Sequence, residues 1–223
     1  MESNEINLTS LYASDKVLNM YVFGSRLYGN NRQDSDYNVI VITSNDFGLD
    51  GETITWYNPE EKVNFDFSIY SEDSWIKKCE NNHINALEID AIQHSETMCN
   101  LKKRRLYSVP INLIKLRESI SATVSNSWAK ANKKLNVEKD FNPNIAKKSL
   151  WHCFRILMYG IQVAKYGKIV DFKEANYLYD EIVLNECNDW KFYKNKYQEK
   201  LNNMRTEFRT YMEDGWRDYK KVD

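Results

Sequence analysis

A chain of 223 residues, 42% hydrophobic and 28% charged, has ordinary globular composition and is long enough to bury a real core. Its 31 basic and 32 acidic residues leave a net charge of −1, which excludes wholesale electrostatic binding of nucleic acid and leaves only a local basic face open. No stretch reaches the roughly 18 apolar residues of a membrane span, and the N-terminal MESNEINLTSLYASDKVLNMY has neither the basic start nor the apolar run of a signal peptide, so a cytoplasmic, membrane-free protein is expected.

In chain order, residues 6–19 read as a loosely periodic helix through Leu8, Leu11, Val17 and Leu18. The short apolar run Met20-Tyr21-Val22-Phe23 is cut off by Gly24-Ser25, a strand entering a turn. Val39-Ile40-Val41-Ile42 is wholly apolar and β-branched, the pattern of a strand buried on both faces. A third strand is expected over residues 53–57, before a turn at Asn58-Pro59. Residues 63–70 alternate cleanly: Val63, Phe65, Phe67 and Ile69 share one face, and Asn64, Asp66, Ser68 and Tyr70 the other.

From residue 71 onward the chain reads as helical. Ser71, Asp73 and Ser74 supply caps before Trp75. Residues 111–135 form a glycine-free run with Ile111, Ile114, Ile120, Val124 and Trp128 as the expected buried stripe. Pro143 opens a further helix over about 144–166 that stops near Gly167, and the tail after 188 reads as a last amphipathic helix. Lys102-Lys103-Arg104-Arg105 is a basic cluster read as solubilising surface in preference to a polynucleotide track. Cys79, Cys99, Cys153 and Cys187 have no Cys-x-x-Cys pair and no zinc spacing, and are read as reduced thiols.

The chemistry concentrates in YVFGSRLYGNNRQDSDYNVIVI. A glycine lets backbone pass close to a phosphate, and the Ser25 hydroxyl with neighbouring N–H groups can donate to its oxygens. If the strand has begun by Asp36, then Asp36 and Asn38 project together while Tyr37 faces elsewhere. Oxygen ligands at alternate positions suit a hard cation, and Asp66 on the polar face of another strand supplies a third. Two such cations can clamp the attacking and leaving oxygens of a phosphoryl displacement.

GSRLYG followed by DSDYNVIVI resembles the signature of the DNA polymerase β-like nucleotidyltransferase superfamily, in the GSR-x-YG…DSD form found in predicted nucleotidyltransferases of bacteria and phages. The strong match spans residues 20–42. The resemblance implies an α+β fold, with a nucleotidyltransferase-like mixed β-sheet and flanking helices over residues 1–108 and a helical C-terminal domain over 109–223. It implies transfer of an NMP from an NTP, ATP among the candidates, to a hydroxyl acceptor such as an RNA end, a protein side chain or a small molecule. Gly24 and Ser25 would hold the triphosphate, with Arg26 closing on phosphate or pairing with a surface carboxylate. Asp36, Asn38 and Asp66 would hold Mg²⁺ or Mn²⁺, and Lys147-Lys148, His152 and Arg155 resemble the basic helix that contacts nucleotide or polynucleotide phosphates, although for Lys148, His152 and Arg155, one turn apart, a plain solvated face is the preferred reading. For His152, a packed boundary histidine is the plainer reading.

Asn38 departs from the pattern, which expects a carboxylate there. An amide keeps the shape and one oxygen ligand but removes a negative charge, so two-metal catalysis should fall steeply. Three origins fit: an aspartate exchanged to trap substrate, a naturally weakened or silent member, or compensation by another carboxylate such as Asp34. The alternative function is a non-catalytic nucleotide- or RNA-binding regulator of a defence or toxin–antitoxin system.

Overall fold

The computed structural model describes residues 6–93, 100–103 and 107–219, without the side chains of 100, 102–103 and 213–219. Cys99, Arg104, Arg105 and the side chains of Lys102, Lys103 and Trp216 lie outside the described residues. The chain divides into two compact units, Met1–Pro110 and Ile111–Asp223.

The first unit runs α1 (Leu8–Ala13), β1 (Val17–Phe23), α2 (Ser25–Tyr28), β2 (Tyr37–Thr43), β3 (Thr53–Asn58), β4 (Val63–Ser71), α3 (Glu72–Glu80), α4 (Ile84–Ile92) and β5 (Asn100–Lys103). Its sheet has the order β3-β4-β2-β1-β5, with β2 and β4 parallel and every other pair antiparallel. The fold is thus α+β with a mixed sheet.

The expected helix over residues 6–19 is corrected here. Asn7 and Ser10 form a reciprocal capping box that starts α1, and Ser14 ends it in an extended conformation. Val17, Leu18 and Asn19 belong to β1, because Val17 pairs with Thr43 and is fully buried in the sheet core. Leu11 alone from α1 is fully buried against that core.

Both patterned strands form as the sequence anticipates. Val39, Ile40, Val41 and Ile42 of β2 are all fully buried, as suits a central strand covered on both faces. β4 alternates buried and half-buried along its whole length. One face of the sheet packs Val22, Val39, Val41, Phe65, Phe67 and Ile69 against Ile6 and Leu11. On the sheet, α3 packs against β2 and β4, and α4 packs against β1.

β5 is a second departure, since the region after residue 71 read as helical throughout. It pairs antiparallel with the outer side of β1 as a short, lysine-bearing edge. Charged residues on an edge strand discourage pairing with other chains, which is why the segment carries no strand signal of its own.

The second unit is helical: α5 (Leu113–Asn136), a 3₁₀ turn (Glu138–Asp140), α6 (Pro143–Tyr166), α7 (Tyr177–Ile182) and α8 (Trp190–Tyr219). The buried stripe of α5 is Leu116, Ile120, Val124, Ala131 and Leu135. Ile114 is 48% exposed and Ile111 precedes the helix, so the expected stripe is corrected at its N-terminal end. α5 and α6 run antiparallel, with Cys153 beside Val124 and Gly160 against Ile120. Asn142 caps α6, Pro143 occupies its first turn, and Gly167 ends it at φ 73°.

No helix among the described residues is long and apolar enough to cross a membrane. Cys79, Cys153 and Cys187 are free thiols, and burial pushes those of Cys79 and Cys153 up to about 12.

Candidate functional site

The candidate residues of the first unit meet where β1 ends and β2 and β4 begin. Strand register sets the arrangement. Phe23 of β1 faces Asn38 of β2, Asn38 faces Asp66 of β4, and Asp66 faces Thr55 of β3. Directly paired residues point to the same side of a sheet, so Asn38, Asp66 and Thr55 form one row. The strand has not begun by Asp36, which lies one residue before β2, yet Asp36 joins the next row: Asn64 Nδ2 donates to Asp36 Oδ1 at 3.2 Å.

Tyr37 does face the other way, as the alternation predicts. Its ring stacks on Phe65 at 4.6 Å with the planes 4° apart. The Arg26 guanidinium sits 3.4 Å over that ring and donates to the Ser35 carbonyl at 2.6 Å. Arg26 is therefore engaged with its own loop, with no carboxylate partner among these contacts, and its Nε is buried without a hydrogen-bond partner.

Gly24 joins β1 to α2 with φ 74° and ψ −147°, a conformation that L side chains rarely adopt. A second constraint comes from the neighbouring strand. A Cβ on Gly24 would stand 3.0 Å from Asn38 Nδ2 and 3.4 Å from Asn38 Cβ and Cγ. The glycine thus leaves room for the Asn38 amide beside the turn that carries Ser25. Tyr28 anchors the short α2 by donating its hydroxyl to the Glu88 carboxylate of α4 at 3.1 and 3.3 Å.

Each aspartate of the patch holds a fixed donor. Thr55 Oγ1 donates to Asp66 Oδ1 at 2.6 Å, a short charge-assisted bond, and Asn64 serves Asp36. The available atoms are oxygens only, from two carboxylates and from the amides of Asn38 and Asn64, a set that fits a hard divalent cation. Two negative charges balance one such cation, not a pair. Consistently, no group of three His, Cys, Asp or Glu side chains among the described residues is placed to hold a metal ion. Asp34 is exposed.

Lys148, His152 and Arg155 lie on α6 in the helical unit. Lys148 is exposed, whereas Arg155 is 4% exposed and donates from Nε to His152 Nδ1 at 3.1 Å. The Arg155 guanidinium also stands 5.8 Å from the Trp151 ring and 5.1 Å from the Tyr159 ring. Burial, then the charges of Arg155, Lys148 and Lys130, hold the His152 imidazole well below its ordinary pKa. His152 is thus a half-buried imidazole that accepts a hydrogen bond from its own helix.

No protein-family model matches the chain, and no curated protein matches it. Among solved structures, a nucleotidyltransferase-like protein from Exiguobacterium sibiricum 255-15 is similar over 92% of this chain and 72% of its own, at 11% identity and a TM-score of 0.32. That likeness is distant. At this score it carries no argument, so the functional reading rests on the residues themselves.

Thr55 and Asn64 escape sequence reasoning as parts of the site. Asn64 carries a weak signal, since it shares the polar face of β4 with Asp66. Thr55 carries none, because nothing in a sequence gives the register of β3 on β4.

Proposed function

We propose that the chain is a weakened nucleotidyltransferase that binds an NTP at the Gly24-Ser25 turn and transfers its NMP to a hydroxyl acceptor. The acceptor oxygen bonds to the α-phosphorus, the bond from that phosphorus to the bridging oxygen breaks, and pyrophosphate leaves. The acceptor proton departs toward Asp66. Gly24 brings backbone close to the triphosphate, and Ser25 donates to its oxygens. Asp36, Asp66 and the amide oxygen of Asn38 would hold Mg²⁺ or Mn²⁺, which supplies charge neutralisation at the phosphates when bound. The observation that carries the reading is the register that sets Asn38 beside Asp66, with Gly24 packed on the Asn38 amide.

The test is incubation with each labelled NTP, Mg²⁺ or Mn²⁺, and RNA, protein and small-molecule acceptors, for the chain and for Asn38→Asp. Restoring the charge should raise pyrophosphate release by about 100-fold, the scale of one electrostatic contribution to a transition state. If Asn38→Asp releases none with any acceptor, the enzymatic reading is lost.

A second reading, a non-catalytic nucleotide- or RNA-binding regulator, is favoured by the same Asn38 and by the short carboxylate count. It predicts binding of NTP or RNA by calorimetry with no turnover in either version. An absence of binding to both would remove it.

A further inference from the structure

The geometry points to Thr55 and Asn64 as the positioning residues of the cation site, acting by taking one oxygen of each carboxylate and so selecting a small octahedral cation over Ca²⁺. The inference rests on the nucleotidyltransferase reading and deepens it. The two aspartates are held alike: Asp66 receives the Thr55 hydroxyl at 2.6 Å, and Asp36 receives the Asn64 amide at 3.2 Å. Both donors come from neighbours in the sheet, Thr55 by direct pairing with Asp66 and Asn64 by lying two residues before Asp66 on β4. Neither donor depends on a long flexible side chain, so each fixes the rotation of its carboxylate.

The consequence follows from coordination chemistry. Ca²⁺ takes six to eight oxygens and often grips a carboxylate through both, whereas Mg²⁺ and Mn²⁺ take six, commonly one from each carboxylate. A carboxylate with one oxygen committed to a donor offers the other in a fixed direction. Asp66 and Asp36 then give one oxygen each, beside the Asn38 amide whose Nδ2 lies against Gly24. Outer donors of this kind orient ligating groups, and their loss commonly lowers metal affinity by about 10-fold or more. This assigns the edge strand β3 a role in the site, although it holds none of the motif residues.

The measurement is Mn²⁺ titration of the full chain by the loss of the free-ion paramagnetic signal, repeated with Ca²⁺ as competitor and in the presence of each NTP. Thr55→Val keeps the β-branched shape and removes the hydroxyl; Thr55→Ser keeps the hydroxyl. The wild type should bind one Mn²⁺ per chain. Thr55→Val should bind about 10-fold more weakly and be displaced by less Ca²⁺, Thr55→Ser should return to within about 2-fold, and Asn64→Leu should repeat the loss. Equal Mn²⁺ affinity in wild type, Thr55→Val and Asn64→Leu would overturn the assignment while leaving the nucleotide reading intact. Failure of Thr55→Ser to restore binding would also overturn it, because the loss would then belong to packing. A wild type that binds NTP but no Mn²⁺ removes the cation site and this assignment together; one that binds neither removes the nucleotidyltransferase reading as well.

Discussion

Gly24 shows how a single position carries two requirements. Its φ of 74° favours glycine, and the Asn38 amide occupies the space where a Cβ would go. Replacing it with alanine adds strain of about 1–3 kcal/mol and pushes Asn38 out of its row. Gly24→Ala should therefore lower stability by that amount in urea denaturation and weaken NTP binding in the same preparation. Unchanged NTP affinity would mean that the turn does not hold the phosphates. The glycine was legible from its place between an apolar run and DSDYN. The reason for it was only half legible, because the Asn38 contact crosses from one strand to the next.

At the scale of elements, periodicity identified what packing could enforce. The continuous apolar run of β2 and the alternation of β4 were readable because each strand's environment is uniform along its length. The segment of residues 6–19 misled because two elements of different period share it, and the capping box that separates them uses Asn7 and Ser10, common polar residues. Helix α6 was readable at both ends through Pro143 and Gly167. What the sequence left silent is how closely α5, α6 and α8 approach. A Cβ on Gly160 would meet Ile120 Cγ2 at 2.9 Å and Phe208 Cε2 at 3.2 Å. Gly160→Ala should gain about 1 kcal/mol in helix propensity and lose about 1–3 kcal/mol to overpacking. The expected net is a loss of about 1 kcal/mol in chemical denaturation; a stabilised variant would show that Ile120 and Phe208 yield.

Across the whole molecule, acid should act on both units through half-buried histidines. His83 caps α4, accepting at Nδ1 from the Asn85 N–H at 3.3 Å. Burial, with Lys78 nearby, pulls its pKa from 6.5 down to about 4, and His152 in the helical unit is shifted the same way. The unfolded chain protonates both near 6.5 while the folded chain does not, so the unfolded state binds more protons as pH falls below that value. The contribution of His83 is complete above about pH 6.5 and is lost as pH falls toward 4, and His152 acts in the same direction. Urea denaturation at stepped pH should show stability declining over that window, with a shallower slope in His83→Asn, which retains a capping side chain. A flat profile would mean that neither histidine is held neutral.

The sequence by itself determined the strand and helix patterns behind the α+β class, the Gly24-Ser25 turn, the candidate carboxylates and the uncharged amide of Asn38. These are local facts, carried by residue type and by the two- and 3.6-residue periods of strand and helix. Only the tertiary structure decided which residues complete the patch. Strand register, which no local pattern encodes across separate segments, put Thr55 on Asp66, Asn64 on Asp36 and Asn38 on Gly24, and left Arg26 stacked on Tyr37.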